Sequence, residues 1–293
     1  MSTNELVALK NLMSIKSNEL LEIYKGTIHN RANSMGDALE TFVKDLFCSC
    51  LDIHDFSTKD IIYSNYLSYI GNSTNPPDFI IRQSSAVEVK KIENLSFGDI
   101  ALNSSYPKDY LYSNSTLINK GCRKCEDDLG GWTKKEMVYV IGNVIKNRLR
   151  VLWLLDGKCY CADDEVYSKI KTTINTGIKN INGVEFADTK ELGKVKKIDP
   201  LGITDLRIRG MWSIKHPMKT FDYLVDEYSK DIELQVYCLL LKSKYDNICE
   251  DDKNNLVEYI NNGKLERMDV RIKNPNNPAQ FLDAVLFKAS LLQ

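Results

Sequence analysis

Two carboxylates and a lysine stand close together in NPPDFIIRQSSAVEVKKIEN, residues 75–94. Asp78 follows a proline pair, and Glu88 and Lys90 are separated by one valine. Side chains alternate faces along a strand, so Glu88 and Lys90 leave the same side. If DFII and AVEVKKI are successive antiparallel strands with an odd number of residues in the turn around Arg82–Ser85, Asp78 stands opposite Glu88 on that face. Opposed residues lie about 4.5–5.5 Å apart at Cβ, close enough for two carboxylates to share one divalent ion. Without an ion they repel, and one takes up a proton. A hard cation such as Mg²⁺, which takes one or two carboxylates plus water and phosphate oxygens, relieves the conflict. Beside it the Lys90 ammonium can stabilise a hydroxide or the charge developing on a phosphate. The set suits attack of water on a phosphodiester. It suits glycoside hydrolysis poorly, because that reaction needs one carboxyl group kept neutral. VEVKKIE alone reads better as a solvated edge strand, where alternating Glu and Lys are common; Pro77-Asp78 upstream and a helix carrying Glu40 before both favour the site.

The elements that must position these groups are readable around them. In NSMGDALETFVKDLF, Met35, Ala38, Leu39, Phe42, Val43, Leu46 and Phe47 recur at helical spacing, and Ser34 with Asp37 resembles a capping box. On that helix Glu40 lies at the margin of the apolar stripe while Asp37 points away, so Glu40 is the carboxylate placed to reach a site beside the core. NYLSYI, a turn at Gly71-Asn72-Ser73, DFII and AVEVKKI form a meander of three strands. EMVYVIGNVI and LRVLWLLDG are apolar and β-branched, as central strands are, and ITDLRIRGMWSI alternates as a further strand. DEVYSKIKTTINTGIKNI, DYLVDEYSKDIELQVYCLLLKSKY and PAQFLDAVLFKASLLQ read as helices. Helices before, between and after clustered strands predict an α/β fold: one domain over 1–293 with a central mixed sheet flanked by helices. The catalytic core falls in roughly 30–160 and further helices in 221–293.

Charge is nearly balanced, with 39 basic and 40 acidic residues, so a nucleic-acid surface would have to be local. The best patch runs from Lys194 to Lys219 and includes Lys197, Arg207 and Arg209, opposed only by Asp199 and Asp205. In DLRIRGMW the two arginines alternate with Leu206 and Ile208, so both leave one strand face, which is equally the pattern of a solvated sheet. NSSYPK, just after the acidic strands, offers Asn103, Ser104, Ser105 and Lys108, and Arg31 and Asn33 precede the Glu40 helix. Recognition elements are therefore expected within 100–130 and 190–220. No apolar run approaches the roughly 20 residues that span a bilayer, and the start lacks the pattern of a signal peptide, so a cytoplasmic protein is expected. Cysteines there stay reduced. A zinc ion on Cys122, Cys125, Cys159 and Cys161 is chemically conceivable, but the one-residue spacing of the second pair disfavours it. His29, His54 and His216 are scattered and receive no chemistry.

Pro77-Asp78, nine residues, then Glu88-Val89-Lys90 resembles the signature of the PD-(D/E)xK nucleases, and the order of helix with Glu, hairpin and two acidic strands resembles their core. NRANSMGDALETFVKDLF, YIGNSTNPPDFII, AVEVKKIEN, ALNSSYPKDYL, CRKCE and TKELGKVKKIDPLGITDLRIRGMW together resemble the NgoPII-type restriction endonucleases, from about Asn30 to Trp212. The resemblance implies a type II enzyme that cuts short palindromic duplex DNA, GGCC in that family, with Mg²⁺ and as a homodimer, accompanied genetically by a protecting methyltransferase. It implies Asp78 and Glu88 as metal ligands, the Val89 carbonyl as a third, and Lys90 as the group that orients or activates water. Glu40 corresponds to the extra acid on the first core helix. Two other readings stand beside it: a structure-specific repair or junction nuclease on the same core, and a non-catalytic DNA-binding protein.

Overall fold

Long apolar runs with no polar face must be covered on both sides, as strands are in a sheet packed between two layers. In the computed structural model, residues 2–15, 34–72, 75–103, 105–181, 185–187 and 192–292 are described, with backbone only at 34–37, 103 and 292. Among them a nine-stranded mixed sheet runs in the order β1 (Leu67–Asn72), β2 (Asn75–Ile81), β3 (Ala86–Ile92), β6 (Lys134–Ile145), β7 (Arg148–Asp156), β12 (Ile232–Leu241), β14 (Asn277–Leu292), β13 (Glu266–Asn274). β5 (Tyr110–Tyr112) adds to the start of β6. The β3/β6 and β7/β12 pairs are parallel and the other pairs of the row antiparallel.

Alternate residues of the central strands feed two separate cores. Phe79, Val87, Val138, Val140, Leu152, Leu154, Val236 and Cys238 pack under α1 (Glu5–Met13) and α2 (Ser34–Cys48), beside α3 (Phe56–Tyr66). Ile80, Ala86, Tyr139, Ile141, Trp153, Tyr237 and Leu239 face the other way, onto β4 (Ile100–Asn103) and the segment around Phe221. α2 lies so close to β6 that a Cβ on Gly142 would come within 2.8 Å of Leu39. Its far end is fixed by the buried Asp45 carboxylate, which accepts hydrogen bonds from Lys59 Nζ and Tyr63 Oη on α3 and from Cys50 Sγ.

The remaining elements are α4 (Lys120–Lys124), α5 (Gly157–Tyr160) and α6 (Asp164–Lys179), then the small sheet β8 (Glu185–Phe186), β9 (Gly193–Lys196) and β10 (Leu206–Ile208), β11 (Trp212–Ile214) paired with β4, and α7 (Pro217–Thr220). The α/β fold with a mixed sheet flanked by helices is as expected, and so are the meander, β6, β7 and the helix over 164–179. The expectation of helices through 221–293 is corrected: 232–241, 266–274 and 277–292 are strands, with only the short helices α8 (Lys242–Asn247), α9 (Glu250–Asn254) and α10 (Val257–Asn261) between them. β12 and the Ala284–Phe287 stretch of β14 are buried on both faces, so IELQVYCLLL and AVLF carry no two-residue alternation, and an unbroken apolar run does not distinguish strand from helix. ITDLRIRGMWSI divides into β10 and β11, which join different sheets, and Gly71 and Asn72 belong to β1 rather than to a turn. No helix of the described residues is long and apolar enough to cross a membrane.

His216 ties the second core together. It is fully buried, its Nδ1 accepts from the Met218 N–H at the start of α7, and its Nε2–H faces Asn143 Oδ1 at 3.0 Å. The Asn143 amide nitrogen is used on Asn94 O, which leaves Oδ1 as the acceptor and fixes a neutral imidazole. Burial, with Lys219 adding to it, pulls the ring down to about 4 from the usual 6.5. The unfolded chain binds that proton first, so stability present above pH 6.5 is lost as pH falls toward 4, by about 3 kcal/mol in full. Urea unfolding between pH 7 and 4 is expected to show this slope, and His216→Asn to flatten it.

Candidate active site

The acidic hairpin is set by its turn. Phe79 pairs with Val87 and Ile80 with Ala86, and Ile81 N–H donates to Ser85 O at 2.9 Å, leaving Arg82, Gln83 and Ser84 as the loop. Gln83 takes a left-handed φ of 56°. Arg82 N–H donates to Tyr66 O at 2.8 Å and Gln83 N–H to Glu126 Oε1 at 2.7 Å, which tether the turn from both sides. With an odd loop, the same register carried one step further sets Asp78 across from Glu88 on one sheet face, the face that Ile80 and Ala86 give to the second core.

The backbone ladder is not continued there. Asp78 Oδ2 accepts from the Val89 N–H at 2.6 Å, taking the place of a main-chain acceptor. Pro77, which would come opposite Val89, has no N–H to give to the Val89 carbonyl. β1 presses on this strand from outside: a Cβ on Gly71 would lie 2.3 Å from Pro77 O and 2.8 Å from Asp78 O. Gly71 is thus a positioning residue for Asp78. Its only mark in the sequence is glycine inside a strand pattern, a sign of close backbone approach that is easily taken for a turn.

Glu88 Oε1 accepts from Lys90 Nζ at 2.7 Å, whereas Glu88 Oε2 is buried without a hydrogen-bond partner. An unpaired buried acceptor costs about 1–3 kcal/mol, and more when charged. Asp78, half-buried, has its carboxyl pushed well above the usual range by burial, then by the charges of Glu88 and Glu40, against the Val89 N–H and Lys90. Burial pulls the Lys90 ammonium down, but Glu88, Asp78 and Glu40 outweigh it, so it stays protonated above its ordinary value. Two crowded carboxylates, one with an orphaned oxygen, form a donor set that suits a hard divalent cation.

Glu40 stands on α2, ion-paired with Lys44 at 3.2 Å, and acts on Asp78 and Lys90 through space. Among the described residues no three His, Cys, Asp or Glu side chains group closely enough to hold a metal ion. The four cysteines considered for zinc form no such group either. Cys122 and Cys161 are buried, and burial pushes both thiols up to about 12.

A small pocket opens beside Glu88, between Pro76, Ser105, Tyr106, Lys108 and Tyr139. Lys108, expected as an exposed donor on the NSSYPK loop, is 7% exposed. Its Nζ donates to Ser105 Oγ and to Tyr106 O at 2.8 Å, and burial lowers it to about 8 while Glu88 pulls the other way. Ser105 is half-buried. Asn103 pairs with Trp212 across β4 and β11; its side chain, Ser104, Arg31, Asn33 and the Ser34–Asp37 cap lie outside the described residues. Arg207 on β10 and Arg209 just past it are exposed, as is Lys197, which pairs with Glu185 at 2.7 Å. They sit on the small sheet, joined to the site through α6: Asn175 Nδ2 donates to Leu192 O at 3.1 Å, and the Tyr167 ring packs on Tyr106 at 5.6 Å and Trp212 at 6.0 Å.

Asp78→Asn removes a charge from the crowded pair but keeps an acceptor for Val89. In EDTA it is expected to melt no lower than the parent. Ca²⁺ at a hundred times its Kd should raise the parent by ~2.7 kcal/mol and the variant by far less, measured as melting temperature. Equal shifts in both would remove the metal from this pair.

A model of the NgoPII restriction endonuclease family matches residues 3–273, a span that holds every site residue above. The Type II restriction enzyme NgoPII of Neisseria gonorrhoeae is 41% identical over 261 residues, 88% of this chain and 90% of that protein. No solved structure matches the chain.

Proposed function

The chain belongs to the NgoPII restriction endonuclease family and is a site-specific restriction endonuclease; from that premise we propose that Asp78, Glu88 and Lys90 form its cleavage centre. The observation that carries this is the buried, partnerless Glu88 Oε2 beside Asp78 and the Lys90–Glu88 pair. Asp78, Glu88 and the Val89 carbonyl would hold Mg²⁺, which when bound supplies positive charge that acidifies a water and offsets charge on the phosphoryl oxygens. Lys90, kept cationic by its carboxylate neighbours, orients the attacking water and stabilises the anion formed as its proton leaves. Glu88 Oε1 fixes the Lys90 ammonium, and Glu40 adds negative potential that favours both cations. Water attacks phosphorus in line with the leaving 3′-oxygen; its proton passes to solvent, the P–O3′ bond breaks and the departing 3′-oxygen takes up a proton from solvent, so a 5′-phosphate and 3′-hydroxyl result.

The substrate of this reading is double-stranded DNA at a short palindrome, with GGCC the family's site, cut by a homodimer. Arg207, Arg209 and Lys197 on the small sheet and the loop at 103–105 are the candidate contacts, with Arg31 ahead of α2. The family setting also implies a cytoplasmic enzyme with a protecting methyltransferase in the same cell.

Plasmid incubated with the protein and Mg²⁺ is expected to give discrete fragments with 5′-phosphate ends, and none in EDTA. Asp78→Ala and Lys90→Ala should each slow cutting roughly 10²–10⁴-fold while binding in Ca²⁺ persists. Preference for branched over linear duplex would select the junction-nuclease reading, and intact DNA under every condition the non-catalytic one.

A further inference from the structure

Beside the Glu88 pocket lies a second, larger cleft open to solvent, and Tyr106 and Lys108 line both. Tyr110 and Tyr112 on β5 leave the strand on one side, with ring centroids 6.3 Å apart, and form its wall with Tyr106. Two of the three rings are already engaged. Lys134 and Lys158 lie 4.4 and 4.7 Å from the Tyr110 centroid. Tyr106 packs on Tyr167 and has Lys108 Nζ 4.7 Å from its centroid. Tyr112 is 36% exposed and offers its ring to the cleft.

The rest of the lining is polar and of both signs: Asn114, Ser115 and Thr116 on the rim, Asp164 and Lys171 from α6. Arg123 holds the rim through Nε to Ser113 O at 2.8 Å and Nη2 to Ser115 O at 3.1 Å. Asn75 Nδ2 donates to Leu117 O at 2.9 Å, which ties the rim to β2 three residues before Asp78. The cleft is therefore shaped in advance and registered to the cleavage centre.

Its chemistry selects the occupant. The Asp164 carboxylate opposes a phosphate, and the amide, hydroxyls and ammonium oppose a hydrocarbon. A flat ring with donors and acceptors along its edge satisfies both wall and rim. Resting on the cleavage centre proposed above, we infer that this cleft takes one nucleobase swung out of the duplex beside the scissile phosphate, stacked on Tyr112. A base so extruded loses its neighbours, and the tyrosine ring replaces part of that stacking. The cleft would thus read one base apart from any groove contact.

The test uses the full-length protein in Ca²⁺ with duplexes of the site mapped by cleavage, each carrying a photoreactive 5-iodopyrimidine or 8-bromopurine at one position. One position is expected to crosslink to Tyr112 or Tyr110, located by peptide mass spectrometry. Tyr112→Ala should abolish that crosslink and weaken site binding roughly tenfold, whereas Tyr112→Phe keeps both. Crosslinks that never reach residues 110–112, in complexes that cut when Mg²⁺ is added, overturn the base cleft and leave the nuclease reading intact. Duplexes neither cut nor bound overturn both.

Discussion

The structure depends on holding two like charges together in a half-buried gap. Asp78 and Glu88 face each other across a hairpin that stops exchanging backbone hydrogen bonds just where they stand. Proximity alone would drive a proton onto one of them or push the strands apart. Burial and the neighbouring carboxylates favour the first outcome at Asp78, and the fold resists the second. The turn is tethered to Tyr66 and Glu126, β1 abuts Pro77–Asp78 at a glycine, and the Val89 N–H holds one Asp78 oxygen. Lys90 balances one Glu88 oxygen and leaves the other without a partner. That arrangement is costly without a cation and suits the divalent ion proposed for it.

The two-faced sheet makes the gap possible. One core clamps α2 onto β6 through the Leu39–Gly142 contact and fixes its end at Asp45, so Glu40 reaches the edge of the site from the opposite layer. The other core supplies the floor on which Glu88, Lys108 and Tyr139 meet. β4, pinned by β11, carries the loop that closes the cavity, and the stacked Tyr106–Tyr167 pair with Trp212 links that loop to α6 and the basic small sheet. The candidate site and the small sheet therefore share one aromatic joint.

Much of the centre was legible because its determinants are local. Strand alternation places Glu88 with Lys90, an odd loop places Asp78 with Glu88, and the apolar stripe of α2 sets Glu40 at its margin. What was not legible depends on what chain neighbours cannot report. β12 and the middle of β14, Ala284–Phe287, are covered on both faces, so their sequences lose the alternation that marks a strand. Lys108 looks like a surface donor until the fold buries it beneath Tyr106. Gly71 shows its purpose only when β2 lies against it. The tyrosine cleft joins residues 106–117 to 164 and 171, which no local pattern connects.

The central claim is that the orphaned oxygen of Glu88 and the Asp78 carboxylate receive a divalent ion. Anomalous diffraction from crystals grown with Mn²⁺ tests it most directly. The account predicts a peak bonded to Glu88 Oε2, an Asp78 oxygen and the Val89 carbonyl at about 2.0–2.2 Å, the range for a small hard ion on oxygen. Mn²⁺ bound elsewhere, with Glu88 Oε2 still bare in the presence of cognate DNA, would contradict it.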